Sequence, residues 1–265
     1  MKSKFDAIWE DWLYKEDFTA DIERTETGRK RFHSIIKNLL NKNRNNNVLE
    51  LGSGTGTDTL LLKKYIPHNH YFAMDISFTA IKVMKKIENK LFNTPIRPVY
   101  KIVGDINNLS FKKKFYLIFH QGVLEHLDEP EKIIRFQLDI LQDNGYIVIS
   151  VPQTFTFYTI YKHSKMLLGK WEWGYETEFS IFRIKKICKK LRLNLIDVSG
   201  EGYYPTWFDP VFVLRDLADK FLRRFNMPFL LRKLFILYNQ CWEYLETRFG
   251  YLFQKEIVFL IQKKK

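Results

Sequence analysis

The stretch Asn47-Val48-Leu49-Glu50-Leu51-Gly52-Ser53-Gly54-Thr55-Gly56-Thr57 constrains this 265-residue chain more than any other. An apolar strand runs into three alternating glycines, and Thr57-Asp58-Thr59-Leu60-Leu61-Leu62 then opens a helix. Glycine reaches positive φ without strain and lets a ligand approach the backbone with no Cβ in the way. The first turn of the helix presents N–H groups that lack an intrahelical acceptor. Strand, glycine turn and helix in that order place a nucleotide-type pocket at the carboxyl end of a strand in an α/β sheet.

The glycine spacing narrows the ligand. A dinucleotide site needs glycine at the first, third and sixth positions of the turn, and counting from Gly52 the sixth position is Thr57. The pattern present is Glu-x-Gly-x-Gly-x-Gly, with Glu50 two residues before Gly52. A carboxylate beside a phosphate cradle repels its ligand but attracts an ammonium group, so the spacing favours a cofactor ending in an amino acid.

Further strands follow at regular intervals. His70-Tyr71-Phe72-Ala73-Met74-Asp75 ends in an acid, and Pro98-Val99-Tyr100-Lys101-Ile102-Val103 leads into Gly104-Asp105-Ile106. Phe115-Tyr116-Leu117-Ile118-Phe119-His120 leads into Gln121-Gly122-Val123-Leu124-Glu125-His126-Leu127-Asp128. A helix is predicted from Pro130 to Gln142, with proline in its first turn, stopped by Asp143-Asn144-Gly145 before a fifth strand, Tyr146 to Pro152. Over residues 45 to 153 the chain resembles the class I S-adenosylmethionine-dependent methyltransferases. The segment after the fourth strand is similar to that of the quinone, small-molecule and lipid methyltransferases.

That resemblance implies an α/β, Rossmann-like fold: a seven-stranded, mostly parallel sheet with an antiparallel last strand and helices on both faces. It implies S-adenosyl-L-methionine as cofactor, with no metal. The residues matching the family's cofactor motifs are Glu50, Gly52, Ser53, Gly54, Gly56, Asp75, Ile76, Asp105, Ile106, Gln121 and Val123. Asp75 is the expected acceptor for the ribose hydroxyls, since charge-assisted hydrogen bonds suit a vicinal diol; Asp105 is the expected acceptor for the adenine amino group. His126 is the candidate base for a hydroxyl acceptor. The aromatic residues Trp9, Trp12, Tyr158 and Trp171 are candidates for the acceptor wall.

The implied activity is methyl transfer, to oxygen, on a small-molecule, lipid-linked or sugar acceptor. The Asn-Pro-Pro-Tyr tetrad of amino-directed DNA methyltransferases is missing, since His120-Gln121-Gly122-Val123 stands in its place. Aromatic platforms beside Lys and Arg keep RNA methylation as a second reading, and a non-catalytic cofactor-binding scaffold as a third. Two cysteines far apart, Cys188 and Cys241, lack zinc spacing and fit a reducing, cytoplasmic setting. Asp6, Glu10 and Asp11 interrupt any signal-peptide pattern.

The net charge of +13 is uneven: residues 153–265 hold 20 basic and 11 acidic side chains out of totals of 43 and 30. Basic surface of this kind suits nucleic acid, anionic lipid or an acidic substrate. The predicted domains are a helical lid over 1–44, a cofactor-binding core over 45–200 and 255–265, and a helical insertion over 201–254. Leu193 to Val198 is the predicted sixth strand and Glu256 to Ile261 the seventh. The basic, aromatic insertion between them leaves three roles open: a substrate lid, an interface with a second copy, or a peripheral contact with the inner face of the membrane. A basic amphipathic helix is predicted over 178–192, with Phe179, Phe182, Ile184, Ile187, Cys188 and Leu191 toward the sheet.

Overall fold

The computed structural model describes residues 6–42, 44–92, 97–108, 110–112, 114–171, 174, 176–203, 210, 213, 216, 217, 220 and 229–263. Among them, seven strands form one sheet: β1 (Asn47–Leu51), β2 (His70–Asp75), β3 (Tyr100–Val103), β4 (Phe115–Gln121), β5 (Leu141–Pro152), β6 (Leu193–Glu201) and β7 (Glu256–Lys263). Their order is β3-β2-β1-β4-β5-β7-β6. Pairs within β3-β2-β1-β4-β5 are parallel, and β7 runs antiparallel to both β5 and β6. The chain lays down β1, β2 and β3 in one direction and then returns to place β4 on the other side of β1. That reversal opens a crevice at the carboxyl ends of β1 and β4, where ligands of such sheets bind.

Strict alternation along the strands feeds two cores, as a sheet covered on both faces requires. Leu49, Leu51, Ile118, Ile147, Ile149, Ile257 and Phe259 face one cluster; Val48, Leu117, Phe119, Val148 and Val258 face the other. Helices α6 (Pro130–Ile140) and α8 (Ile181–Lys190) cover the first face, through Ile133, Ile134, Ile184 and Ile187. Helices α3 (Lys30–Asn41), α4 (Thr57–Tyr65) and α5 (Phe78–Leu91) cover the second, through Phe32, Ile36, Leu60, Val83 and Met84. The Glu201 carboxylate at the end of β6 accepts from the backbone N–H of Arg31 at 2.5 Å and of Phe32 at 3.2 Å. It thereby caps the amino end of α3, where negative charge is favoured.

Three further helices complete the described residues: α1 (Asp6–Tyr14), α2 (Thr19–Gly28) and α7 (Phe157–Leu167), together with a long α9 (Phe229–Phe249) before β7. The seven-stranded, mostly parallel sheet with its antiparallel last strand agrees with the sequence reading, and two local expectations are corrected. Helix α6 ends at Ile140 rather than Gln142. Residues 141–145 join β5 through a bulge, since β5 advances from Leu141 to Tyr146 while β4 advances only from Phe115 to Leu117. Phe182 does not face the sheet: it is 74% exposed. At 100° per residue it lies almost opposite the buried row Ile184, Ile187 and Cys188, while Phe179 is buried just ahead of the helix, whose cap is Ser180. Of the stretch 204–228, which carries much of the predicted insertion, only residues 210, 213, 216, 217 and 220 are described.

Candidate active site

The β1–α4 turn sets the geometry. Gly52, Gly54 and Gly56 adopt φ of 60°, 52° and 65°, values that an L side chain rarely tolerates. The turn closes through Gly56 N–H donating to Ser53 O at 2.8 Å, and Ser53 N–H donating to Met74 O at 3.0 Å fixes it to β2. Asp75 Oδ2 accepts from Gly54 N–H at 2.7 Å and Oδ1 from Ser77 N–H at 2.8 Å. Gly104 N–H donates to Asp75 O at 2.9 Å, which brings the end of β3 to the same place. A Cβ on Gly52 would sit 2.5 Å from Val123 Cγ2, so the tip of β4 presses on the first glycine.

Under the turn, Glu50 Oε2 accepts from the Thr59 hydroxyl at 2.5 Å and from Thr59 N–H at 3.2 Å. Burial and the nearby Asp58 push the Glu50 carboxyl well above its usual range, against Thr59 and Arg29, which pull it down. Asp58 accepts from Arg29 and is bonded to His33 Nε2 at 2.7 Å. Burial raises the Asp58 carboxyl, but Arg29 and His33 outweigh it and hold the group below the ordinary range. Asp75 is raised by burial, with Asp6 adding to the effect and the Ser77 and Gly54 amides opposing it.

Helix α1 lies over this crevice. Asp6 Oδ1 accepts from the Ser77 hydroxyl at 2.6 Å and Thr79 N–H at 3.1 Å, at the amino end of α5. Lys86 Nζ donates to Leu13 O at 2.6 Å and so holds the other end. Between these clasps the Trp9 ring covers Gly54, with Cζ2 3.0 Å from where a Cβ would stand. Trp12 stacks on Phe18 at 6.3 Å between centroids and packs with the second core cluster, an anchor for the helix. Ile76 is exposed at the tip of β2, and Asp105 is exposed beyond β3, its Oδ1 accepting from Asn107 N–H and Nδ2 at 2.9 Å each. Ile106 packs against the first core cluster.

A second polar group gathers beyond β4 and β5. Gln121 Nε2 and the Ser150 hydroxyl donate to Glu256 Oε2 at 2.5 and 2.7 Å. Lys162, on α7, has no exposed side-chain surface and pairs with Glu176 at 3.3 Å and Glu178 at 2.6 Å. His126, in the short turn Leu124–His126, has Nε2 4.0 Å from Glu176 Oε1. Tyr158, on the inner face of α7, is buried with its ring edge-on to Trp171 at 6.3 Å, and Lys162 and Lys255 lie over it at 5.9 and 5.3 Å. The indole N–H of Trp171 is buried without a hydrogen-bond partner among the described residues. His120, by contrast, is a core residue bonded to Gln137; burial lowers it to about 3 and keeps it neutral.

Glu125 is the most perturbed acid in this group: burial pushes it up to about 8, with Glu176 and Glu256 adding and Lys162 opposing. A carboxyl whose native value is raised binds a proton that the unfolded chain releases near its ordinary 4.5. Its contribution to stability is therefore full below 4.5 and lost as pH rises through 8. The Glu125→Gln protein should show a flatter stability-against-pH curve between pH 5 and 8, by up to about 1.4 kcal/mol per pH unit. Urea unfolding at a series of pH values checks this, and parallel curves would refute it.

Sequence reasoning missed Arg29, His33, Asp58, Lys162, Glu176, Glu178 and Glu256. Asp58 carried a signal, an acid in the first turn of a helix; the others are joined only by tertiary contact. The residues present fit an adenosyl cofactor with an amino-acid tail. The glycine turn leaves the backbone open, and the Asp75 carboxylate keeps unused lone pairs. Ser53 Oγ, Gln121 Oε1 and Glu125 Oε2 are buried without a hydrogen-bond partner among the described residues, as groups awaiting a polar ligand would be.

Comparison with known proteins agrees. The methyltransferase domain family matches residues 24–198. A malonyl-[acyl-carrier protein] O-methyltransferase of Priestia megaterium is 27% identical over 208 residues, covering 72% of this chain and 71% of the relative. The Bacillus anthracis protein of that name is 26% identical over 156 residues, covering 58% of this chain and 55% of its own. In fold, the chain is similar to magnesium protoporphyrin IX methyltransferase from Synechocystis PCC 6803, solved with bound SAH. The TM-score is 0.62 at 12% identity, over 98% of this chain and 96% of that one. With the glycine turn, the acid-tipped strands and the antiparallel seventh strand in place, the chain belongs to the methyltransferase domain family and is a class I S-adenosylmethionine-dependent methyltransferase.

Proposed function

We propose that this enzyme methylates an oxygen of a small-molecule acceptor, free or carried on a lipid or a carrier protein. The observation that carries the reading is the joining of Gly54 N–H to Asp75 Oδ2 beneath Trp9, which gathers three strand tips around one crevice. The O-methyltransferase names of the relatives support oxygen as the target. In this reading Glu50 faces the ammonium end of the cofactor, Asp75 accepts from the ribose hydroxyls, and Ile76, Asp105 and Ile106 border the adenine. Gln121 and Val123 supply the remaining edge. Residues 1–44 act as the lid, with Trp9 covering the cofactor rather than the acceptor.

Bound there, the cofactor supplies a methyl group already activated on a sulfonium. The chain's part is to align the acceptor oxygen, exclude water and take up a proton where the acceptor is a hydroxyl; alignment alone can supply much of the rate. In this reading His126 takes that proton, a role that its neighbour Glu176 at 4.0 Å supports. Tyr158 and Trp171 wall the acceptor, and the insertion over 201–254 caps it.

Titration calorimetry with S-adenosylhomocysteine tests the cofactor half. Asp75→Ala should weaken binding by about 1–3 kcal/mol, roughly 5- to 150-fold; unchanged affinity removes Asp75 from the site. Radiolabelled methyl donor with cell extract, followed by sorting of product into lipid, carrier protein, sugar and RNA, tests the acceptor half. Label in RNA alone would replace this reading with nucleic-acid methylation.

A further inference from the structure

Helix α7 has two unlike faces. Its inner face carries Tyr158 and Lys162 against the body of the protein, fixed by the pairs of Lys162 with Glu176 and Glu178. Its outer face and the residues around it expose Phe155, Phe157 and Ile160, and the helix ends on Leu167 and Leu168, which are 89% and 66% exposed. Gly169 follows with no atom of the described residues within 4 Å of where its Cβ would be. Glu178, bonded to both Lys162 and His163, ties the start of α8 to the same helix, and there Phe182 is also exposed.

Charge along α7 and on the exposed side of α8 is basic, and the nearby Glu178 is taken up by Lys162 and His163. From Phe157 to Lys170 there is no acidic residue, whereas Lys165 and Lys170 flank the exposed leucines and Lys185 and Lys186 follow Phe182 on the exposed side of α8. Leucine, isoleucine and phenylalanine projecting between lysines is the pattern of an element lying in a membrane interface. There the apolar side chains enter the acyl boundary and the ammonium groups reach headgroups. A projecting apolar tip needs no complementary groove in a fluid bilayer, and anionic headgroups match the lysines.

We propose that the outer face of α7, with the start of α8, docks this enzyme on an anionic lipid surface. The docked face is the back of the helix whose inner side holds Lys162 against Glu176, and Glu176 neighbours His126. The crevice then opens beside the headgroup layer, where an acyl-linked acceptor presents its polar end. The docking surface lies outside the cofactor site and stands or falls separately from it.

The test is flotation of the full chain with phosphatidylcholine vesicles, with and without phosphatidylglycerol, comparing wild type with the double variant Leu167→Glu, Leu168→Glu. Both leucines are exposed, so thermal unfolding and S-adenosylhomocysteine affinity should match wild type, which shows that the fold and the cofactor site are intact. Wild type should float with the anionic vesicles, and the variant should lose roughly tenfold or more in partitioning. Failure of wild type to float with anionic vesicles, or equal flotation of the variant, overturns the proposal. So does a wild-type dimer that the variant abolishes in the absence of vesicle binding, which would assign the face to a second copy.

Discussion

Replacing Lys162 with methionine is expected to cost about 3–5 kcal/mol of folding stability at neutral pH, the usual penalty for removing one partner of a buried ion pair. The methylene stem is preserved, so packing changes little, but Glu176 and Glu178 lose the ammonium that lies 3.3 and 2.6 Å from them. Burial pushes the Glu178 carboxyl up, and the hydrogen bonds from Lys162 and His163 more than offset it, so the group stays below its ordinary 4.5. A lowered native value contributes stability above the unfolded value and loses it as pH falls through the native one. Without Lys162 the Glu178 carboxyl protonates more readily, so the deficit against wild type should shrink as pH drops below about 4.5. Adding Glu176→Gln should return part of the loss, because two mutations in one network are not additive. Urea unfolding of the single and double variants checks both points, and a deficit that is constant from pH 4 to 8 would show that the charge of Lys162 is not what matters.

What the sequence revealed depends on whether a contact is local. The β1 turn was legible because Gly52, Gly54 and Gly56 need positive φ within five residues of each other, and the strands were legible because both faces are apolar. Asp75 was legible as an acid ending a strand. The Arg29–Asp58 pair spans 29 residues and joins two helices on the same face, and nothing in either segment names the other. Glu256 reaches Gln121 and Ser150 only because β7 inserts antiparallel between β5 and β6, a pairing 106 residues from Ser150 along the chain. Nothing in the sequence around Lys162 marks it; its burial depends on the segment that carries Glu176 and Glu178. That Trp9 covers Gly54 was not legible, because the place of α1 is fixed by the distant contacts of Asp6 and Lys86.

Gly56→Ala is expected to remove about 2–5 kcal/mol of stability and most of the affinity for S-adenosylhomocysteine. Two independent costs combine. At φ of 65° a side chain adds the left-handed penalty of about 1–2 kcal/mol. The new Cβ would also stand 2.3 Å from Met84 Sδ and 2.7 Å from its Cγ, an overlap that only displacement relieves, at about 1–3 kcal/mol. Met84 is a fully buried member of the second core, so it cannot swing into solvent, and the overlap is relieved by repacking of its side chain within the core together with movement of the turn. The turn positions Gly54 N–H for Asp75 Oδ2, so a shift there disturbs the proposed cofactor contact as well as the packing. Pairing Gly56→Ala with Met84→Ala separates the two costs. The shortened residue relieves the overlap, so the double variant should lose less stability than the sum of the single losses. The backbone penalty stays in both. Simple addition of the two losses, measured by denaturant unfolding, would mean that the overlap with Met84 costs nothing and that the turn yields more readily than its hydrogen bonds imply.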